Sequence, residues 1–366
     1  MQFIDIKAQY KLYKEEIDEA IAQVLEQGNF ILGSQVKELE AILAEYVGVK
    51  HCITVSSGTD SLMIALMALN IGPGDEVITV PFTWISTAEV ISLVGATPVF
   101  VDIEPETFSI AIDQIEDAIT ERTKAIMPVS LFGQMPDYTA INTIAEKHNL
   151  PVIEDGAQSF GAMQNGKRSC GDTTIGSTSF FPAKPFGCYG DGGAIFTDND
   201  ELAGKMRAIR THGSLKKHYH PILGLNGRFD TIQAAVLLAK FPHYDKEVKA
   251  REKIGARYSE LLRDCCVVPK IQKGNTHVYA QYTIRVPDRD LLAQQLKSQG
   301  IPTAIYYQKC LHQQPVFAYL GYKKVNFPEA EKASEEVISL PMHPWLSGEE
   351  QDTVVQAVRK TVLANV

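Results

Sequence analysis

The sequence predicts an α/β protein in which helices cover both faces of a mostly parallel sheet, followed by a smaller C-terminal α+β domain. Two observations predict the sheet: short apolar runs recur over residues 51–153, and stretches with helical periodicity separate them. A third observation predicts the second domain, because the pattern changes to a long charged helix after about Tyr244. We therefore assign a large domain to residues 1–243 and a small domain to residues 244–366.

The N-terminal half predicts two helices and then a repeating series of strands and helices. Residues 10–27 carry apolar side chains at helical spacing, a loop covers residues 29–33, and a second helix begins at about Ser34. Because the carboxyl ends of parallel strands share one edge of a sheet, phosphate and cofactor groups should collect there. The predicted strands cover residues 52–55, 76–80, 98–101, 124–129 and 151–153.

The rest of the chain predicts a polar loop and the elements of the small domain. A helix over residues 200–211 leads into residues 212–228, which we interpret as a surface or intersubunit loop. Another helix begins at Asp230. The small domain is predicted to contain helices over residues 245–263 and 291–299, a strand over residues 281–286 and a C-terminal helix from Ser347.

Composition argues against several classes of function. The net charge of −9 and the lack of a basic stripe argue against nucleic-acid binding. No apolar run is long enough to span a membrane, and the N-terminus lacks the pattern of a signal peptide, so we expect a cytoplasmic protein without a membrane partner. The six cysteines form no Cys-x-x-Cys pair and no metal spacing with the histidines, which predicts reduced thiols and no metal site.

Lys184 is the most informative residue of the chain. It lies between aromatic and glycine-rich segments, downstream of Asp155 at the end of an apolar strand. Apolar neighbours lower the pKa of an amine, as a lysine that forms an imine requires. Asp155 could keep a pyridine nitrogen protonated, so the pair predicts a pyridoxal 5′-phosphate site with Lys184 as the Schiff-base lysine. For either residue alone, a solvated lysine or a capping aspartate is the ordinary alternative.

Three further residues could bind the phosphate group of such a cofactor. Gly58 and Thr59 open a predicted helix, where backbone N–H groups and the helix dipole attract an anion. Ser179 adds a hydroxyl donor upstream of the lysine. A strand-to-helix turn of this kind often binds no ligand, so this motif indicates a phosphate site only in combination with the other motifs.

Two residues could contact the cofactor ring, and one glycine run has an alternative interpretation. Trp84 follows a strand and could stack on a flat ring or belong to the core. Gln158 lies one helical turn after Asp155 and can reach the 3-hydroxyl side of the ring. Residues 190–193 lack the spacing of a dinucleotide-binding loop, and a strand follows them, which disfavours a nicotinamide-linked oxidoreductase.

Taken together, these motifs resemble those of the DegT/StrS-type family of pyridoxal phosphate-dependent nucleotide-sugar aminotransferases. The resemblance covers essentially the whole chain and implies fold type I, the aspartate aminotransferase-like fold. The motifs that carry it lie at residues 3–7, 30–33, 57–62, 72–78, 81–87, 154–158, 179–184, 226–228, 233–235 and 339–341.

The resemblance implies a role for each candidate residue. Lys184 is the catalytic lysine that bonds the cofactor, Asp155 pairs with the pyridinium, and Gln158 contacts the ring oxygen. The site is shared within a homodimer, because an asparagine reaches the phosphate from the second chain. The family pattern places Trp84 over the ring, Gly58, Thr59 and Ser179 at the phosphate, and Asn226 of the partner subunit at that same phosphate.

Within the family, residues 166–170, 184–190 and 340–344 are similar to enzymes that aminate UDP-2-acetamido-2-deoxy-3-oxo-glucuronate. That likeness gives Arg228 a carboxylate to bind, either the uronate C6 group or that of glutamate. It also implies that Phe30, Tyr306 and Tyr307 contact substrate. The chain departs from the group at residues 306–308, where Tyr-Tyr-Gln replaces a His-Tyr-Pro-type segment.

The implied reaction is transamination, with L-glutamate as amino donor, for a sugar of a surface polysaccharide such as O-antigen. Sugar dehydratases of this fold carry histidine in place of the lysine, and this chain keeps Lys184. Two alternatives stay open: another nucleotide keto-sugar, such as a dTDP-linked 3-oxo or 4-oxo-6-deoxyhexose, and an inactive regulatory relative. The second would be expected to lose Lys184 or Asp155.

Overall fold

The computed structural model describes residues 1–322 and 326–364. Its helices are α1 (Ile6–Leu12), α2 (Lys14–Gln27), α3 (Ser34–Val47), α4 (Gly58–Ala68), α5 (Ser86–Leu93), α6 (Tyr138–Lys147), α7 (Asp200–Arg210), α8 (Thr231–Leu262), α9 (Arg289–Ser298), α10 (Pro328–Glu336) and α11 (Gly348–Leu363). Short 3₁₀ turns cover Ile112–Gln114, Glu116–Ala118, Leu311–Gln313 and Pro315–Leu320. The strands are β1 (His51–Val55), β2 (Glu76–Thr79), β3 (Thr97–Phe100), β4 (Thr123–Ile126), β5 (Ile153–Asp155), β6 (Met163–Gln164), β7 (Lys167–Arg168), β8 (Ile175–Ser179), β9 (Gly193–Thr197), β10 (Tyr282–Arg285) and β11 (Val337–Leu340).

The central sheet joins two ladders into the order β3-β2-β4-β5-β8-β9-β1. Strands β3, β2 and β4 pair in parallel, as do β5 and β8. The parallel bridges Ile126–Val152 and Val129–Asp155 connect the two ladders. Strand β9 runs antiparallel to both of its neighbours. The prediction of a mostly parallel sheet is therefore confirmed.

Both faces of this sheet are buried. Consecutive residues contribute to different apolar clusters: Cys52 and Ile78 belong to one, whereas Ile53 and Val77 belong to the other. Helices α4, α5 and α7 supply side chains to the second cluster, and α3, α6 and α8 supply side chains to the first. Burial on both faces explains why these strands appear in the sequence as continuous apolar runs.

Helix α8 runs across the position at which the sequence predicts a boundary between two domains. The sequence predicts one helix from Asp230 and another over residues 245–263, but the structure joins them into one helix that continues through Pro242. The first half of α8 packs on the sheet, and its second half packs with α9, α11, β10 and β11 around a third apolar cluster. The proposed boundary at residue 244 thus falls within a continuous helix, and the division into two domains stays a prediction.

No helix in residues 1–322 or 326–364 combines the length and the apolar character that crossing a membrane requires.

Candidate active site

The residues predicted to bind the cofactor ring and phosphate from within one chain lie at the carboxyl edge of the sheet. Strand β5 ends at Asp155, and β8 ends at Ser179. Strand β1 leads through Ser57 into α4, which begins at Gly58. Trp84 lies between β2 and α5, and its side chain is 57% exposed. Parallel topology therefore brings together segments that are more than a hundred residues apart in sequence.

Lys184 lies in the turn that follows β8. Its backbone N–H donates to the carbonyl of Phe181 at 2.8 Å, and the neighbouring Phe180 and Phe186 are buried. Burial lowers the pKa of the Lys184 amine, and the Asp155 carboxylate opposes this shift. Within the described residues, the Lys184 ammonium forms no ion pair or hydrogen bond with protein groups. The amine is therefore available for covalent chemistry, as an imine-forming lysine must be.

The Asp155 carboxylate is held on both oxygens. The Thr87 hydroxyl donates to Oδ2 at 2.8 Å, and the backbone N–H of Ala157 donates to Oδ1 at 3.2 Å. The side chain is buried, and burial raises the pKa of this carboxyl against the opposing effects of both donors and of Lys184. A buried carboxylate with these partners fits a cationic ring nitrogen, which would remove the cost of burying its charge.

Gly58, Ser179 and Thr59 form a small polar cradle. A side chain at residue 58 would place its Cβ only 2.7 Å from the Ser179 Cβ, so this close approach requires glycine. Thr59 Oγ1 lies 2.9 Å from the Ser86 hydroxyl. Because α4 is an eleven-residue helix that begins at Gly58, its free N–H groups favour an anion at this place. The cradle fits the phosphate of the predicted cofactor.

Gln158 contacts a residue from the C-terminal part of the chain. Its Oε1 accepts from the Phe132 N–H at 2.9 Å, and its Nε2 donates to the Tyr307 hydroxyl at 3.0 Å. The ring of Tyr307 lies 6.3 Å from that of Trp84. Trp84, Tyr307 and Gln308 also line a cavity of about 280 Å³. The structure thus brings Tyr307 to the ring-binding residues, whereas Tyr306 packs against Phe3 with a centroid distance of 6.4 Å.

Three predicted residues lie on the outer surface of the chain. Arg228 Nε donates to Asn226 Oδ1 at 2.9 Å, and this pair forms no described hydrogen bond with Lys184 or Asp155. The backbone carbonyl between them accepts from the Ser56 N–H, so the segment lies beside the turn that leads to α4. Phe30 is 46% exposed. The contribution of these residues to a site in a second chain stays a prediction.

Sequence reasoning assigned no role to two residues of this region. Thr87, which contacts Asp155, lies in a motif that carries the family resemblance, and its spacing of four from Thr83 was a usable signal. Glu154 is fully buried and accepts from the Ser130 and Ser169 hydroxyls at 2.9 and 2.6 Å. Nothing in the sequence separates its environment from that of the neighbouring aspartate, because both are acidic residues at a strand end.

Metal ligands are not grouped in the part of the chain that the structure describes. No set of three or more His, Cys, Asp or Glu side chains there is placed to hold a metal ion. The six cysteines are free thiols in the structure.

A mostly parallel sheet that carries a free lysine, a buried aspartate and a phosphate cradle at its carboxyl edge defines a class of protein. It is the class of pyridoxal phosphate-dependent enzymes with the aspartate aminotransferase fold. Within this class, the chain belongs to the DegT/DnrJ/EryC1/StrS aminotransferase family, which matches residues 11–359. The resemblance found in the sequence and the predicted fold class are both confirmed.

Two characterised relatives match nearly the whole chain. The UDP-2-acetamido-2-deoxy-3-oxo-D-glucuronate aminotransferase of Pseudomonas aeruginosa is 50% identical over 347 residues, which cover 94% of this chain and 96% of the relative. A pleiotropic regulatory protein of Geobacillus stearothermophilus is 52% identical over 359 residues, which cover 97% and 96% of the two chains.

Solved structures of similar proteins share the fold. A DegT DnrJ EryC1 StrS aminotransferase from Brucella abortus has a TM-score of 0.96 and 43% identity, with 99% of both chains covered. The NtdA protein of Bacillus subtilis, solved with bound cofactor PMP, has a TM-score of 0.89 and 34% identity, with 96% of this chain and 82% of NtdA covered.

Proposed function

We propose that this protein is a pyridoxal phosphate-dependent aminotransferase that converts UDP-2-acetamido-2-deoxy-3-oxo-glucuronate to its 3-amino product, with L-glutamate as donor. The observation that carries the proposal is the free Lys184 amine at the same sheet edge as the buried Asp155. The Pseudomonas relative supports the choice of sugar, since it is named as the aminotransferase of this keto-sugar and is 50% identical to this chain. We further propose a cytoplasmic location and a role in surface polysaccharide synthesis.

The bound cofactor would supply an electron-accepting ring that stabilises negative charge on a substrate carbon. Lys184 Nζ would accept the proton removed from that carbon and release it again later in the amino transfer. A lowered pKa of the amine favours both steps, because the amine can then gain and lose a proton near neutral pH. Asp155 would keep the ring nitrogen cationic. Gly58, Thr59 and Ser179 would hold the phosphate, and Trp84 would cover one face of the ring.

The substrate side of the proposal rests on Arg228. Its partly exposed guanidinium can hold a carboxylate through two parallel hydrogen bonds, and both the uronate and glutamate carry a carboxylate. The contact with Asn226 keeps the two side chains together. We propose that this segment, with Phe30, faces the site of a second chain in a homodimer, where Asn226 of the partner subunit would reach the phosphate.

A regulatory protein without catalysis is the competing proposal, and the name of the Geobacillus relative favours it. The retained lysine and aspartate favour catalysis instead, because regulation alone needs neither a free amine nor a buried carboxylate beside it. Amination of another nucleotide keto-sugar would use the same residues and differ only where the sugar binds.

The substrate is tested by running the reaction backward from two stable amino sugars with 2-oxoglutarate. The sugars differ only at C6, where one carries a carboxylate and the other a hydroxymethyl group. We expect faster turnover of the uronate, and an Arg228→Met variant should lose about tenfold or more of that preference, because a charge-assisted pair disappears. A wild-type preference for the hydroxymethyl sugar, or no turnover of either sugar, would overturn the uronate assignment.

A further inference from the structure

We propose that Thr87 is a positioning residue that, with Thr83 behind it, keeps Asp155 ionised so that it can pair with the ring nitrogen of the cofactor. The inference rests on the cofactor site of the proposed function and gives a role to Thr83 and Thr87, which had none. It concerns the protonation of the ring rather than the identity of the sugar.

The contacts form a chain of hydroxyl groups. Thr87 is fully buried, and its Oγ1 donates to Asp155 Oδ2 at 2.8 Å. Thr83 Oγ1 lies 3.2 Å from Thr87 Oγ1 and is buried as well. A hydroxyl has one proton, and a carboxylate can only accept, so the Thr87 proton goes to Asp155 and Thr83 donates to Thr87. Hydrogen bonds in such a chain strengthen one another.

The chain matters because Asp155 is buried. Burial favours the neutral acid, and two donors oppose it, one on each oxygen. The N–H of Ala157 is a backbone group that substitutions at Thr87 leave in place, whereas Thr87 supplies the side-chain donor. The titratable groups that interact electrostatically with Asp155 are Lys184, Glu154, Tyr138, Cys170 and Tyr307.

The same segment reaches the other parts of the cofactor site. Ser86, next to Thr87, lies 2.9 Å from Thr59 in the phosphate cradle. Trp84, next to Thr83, presents its exposed ring at the same edge of the sheet. Residues 83–87 therefore tie the nitrogen end of the site to the phosphate end, so that the orientation of Asp155 is fixed relative to both.

Removal of the Thr87 hydroxyl should shift one proton. Without that donor, the Asp155 carboxylate attracts a proton more strongly, because one of its two compensating hydrogen bonds is lost. The Asp155 carboxyl would then hold the proton at the expense of the ring nitrogen, and the ring would be a weaker electron acceptor. No bond to carbon is made or broken in this step.

The experiment compares Thr87→Val, which keeps the shape, with Thr87→Ser, which keeps the hydroxyl. The holoenzyme is loaded with cofactor labelled with ¹⁵N in the ring, and the nitrogen chemical shift is recorded across a pH series. We expect Thr87→Val to shift the signal toward the unprotonated form and lower kcat about tenfold at unchanged KM for glutamate, which corresponds to one hydrogen bond to a charged group. Thr87→Ser should match the wild type.

Thr83→Val is a second test that leaves Asp155 untouched, and it should shift the nitrogen signal in the same direction by a smaller amount. An unchanged signal in Thr87→Val, or an equal loss in Thr87→Ser, would overturn the proposal, since packing alone would then explain Thr87. If Thr87→Val does not fold, the proposal is tested by Thr83→Val, and an unchanged nitrogen signal in that variant would overturn it. The nitrogen signal needs no sugar, so failure of the substrate assignment is seen separately.

Discussion

Glu154 and Asp155 are consecutive acids of β5 with separate sets of partners. Side chains alternate along a strand, so the two carboxylates face different surroundings. Asp155 accepts a hydrogen bond from Thr87 and lies at the sheet edge where the cofactor would bind. Glu154 instead accepts from two serine hydroxyls and from the Cys170 N–H at 2.7 Å. Burial raises the pKa of Glu154 to about 7, against the effect of these donors. Burial thus brings the pKa of Glu154 close to neutral pH, although its carboxylate forms its hydrogen bonds with Ser130, Ser169 and Cys170 and not with the residues assigned to the cofactor.

Glu154→Gln should change how stability depends on pH. The pKa of Glu154 is about 7 in the folded protein and 4.5 in the unfolded chain, so the folded state binds more protons between these values. Its stabilising contribution is complete below pH 4.5 and is lost as the pH rises to about 7. Relative to the variant, the wild-type apoprotein should lose up to about 3 kcal/mol across this window.

Denaturant unfolding of both proteins at pH 5 and pH 8, at one protein concentration, checks this prediction. Glu116→Gln is the matched control, because Glu116 is a surface acid whose pKa is lowered by Lys147 and His148. Between pH 5 and pH 8, the Glu116→Gln variant should lose as much stability as the wild type. Equal pH dependence in the wild type and in Glu154→Gln would contradict the assignment of a neutral, buried Glu154.

At the scale of elements, α8 positions the loop that follows the lysine. Gln233 Oε1 accepts from the Tyr189 N–H at 2.8 Å, and its Nε2 donates to the Tyr189 carbonyl at 3.3 Å. Farther along the helix, the buried Lys240 donates to the Gly187 carbonyl. One helix thus holds the loop after Lys184 at two points and then continues into the core of the C-terminal part.

The elements that the sequence predicted correctly are those whose apolar runs match their burial. Strand β8 was missed, since its residues 175–179 are mostly small and polar, yet it lies between β5 and β9. Small residues are required there: a Cβ at Gly176 would lie 2.3 Å from the Cys170 carbonyl oxygen. The continuity of α8 was also missed, because a proline normally ends a helix and only tertiary packing keeps this one intact.

The candidate site likewise contains residues that the sequence predicts and contacts that it does not. Asp155 and Gly58 could be placed at one sheet edge from the sequence, because the ends of parallel strands meet there. Lys184 and Ser179 were instead predicted from the motif around the lysine, since β8 itself was missed. The bond from Gln158 to Tyr307 could not be predicted, since it joins residues 149 apart in the sequence through the packing of the C-terminal part of the chain. Side-chain partners over such separations depend on tertiary packing, which no local pattern encodes.

At the scale of the whole molecule, the proposal requires two chains. Asn226 and Arg228 lie on the surface, beside the turn into α4 of their own chain. The family resemblance instead assigns Asn226 to the phosphate of the partner's site. These two possibilities, action within one chain or across two, predict different behaviour of mixed dimers.

Mixed dimers of Lys184→Ala and Asn226→Asp distinguish the two. Each variant alone should be nearly inactive, because one lacks the amine and the other places a negative charge at a phosphate. If Asn226 acts across chains, each mixed dimer has one intact site, and an equal mixture recovers about a quarter of wild-type activity. A mixture with the double variant Lys184→Ala/Asn226→Asp in place of Asn226→Asp is the control and should stay inactive. No recovery would place Asn226 in the site of its own chain.

The half-reaction with L-glutamate, in the absence of any sugar, tests whether the protein is a pyridoxal phosphate-dependent aminotransferase that uses Lys184. The cofactor-loaded protein should be yellow, should lose that colour when glutamate is added, and should release 2-oxoglutarate in proportion to its sites. Lys184→Ala should slow this conversion by more than about a hundredfold, because it removes the group that carries the proton. The surface variant Lys14→Ala should behave as the wild type. A wild-type protein that takes up no cofactor, or one that keeps its colour with glutamate and yields no 2-oxoglutarate, would contradict the account.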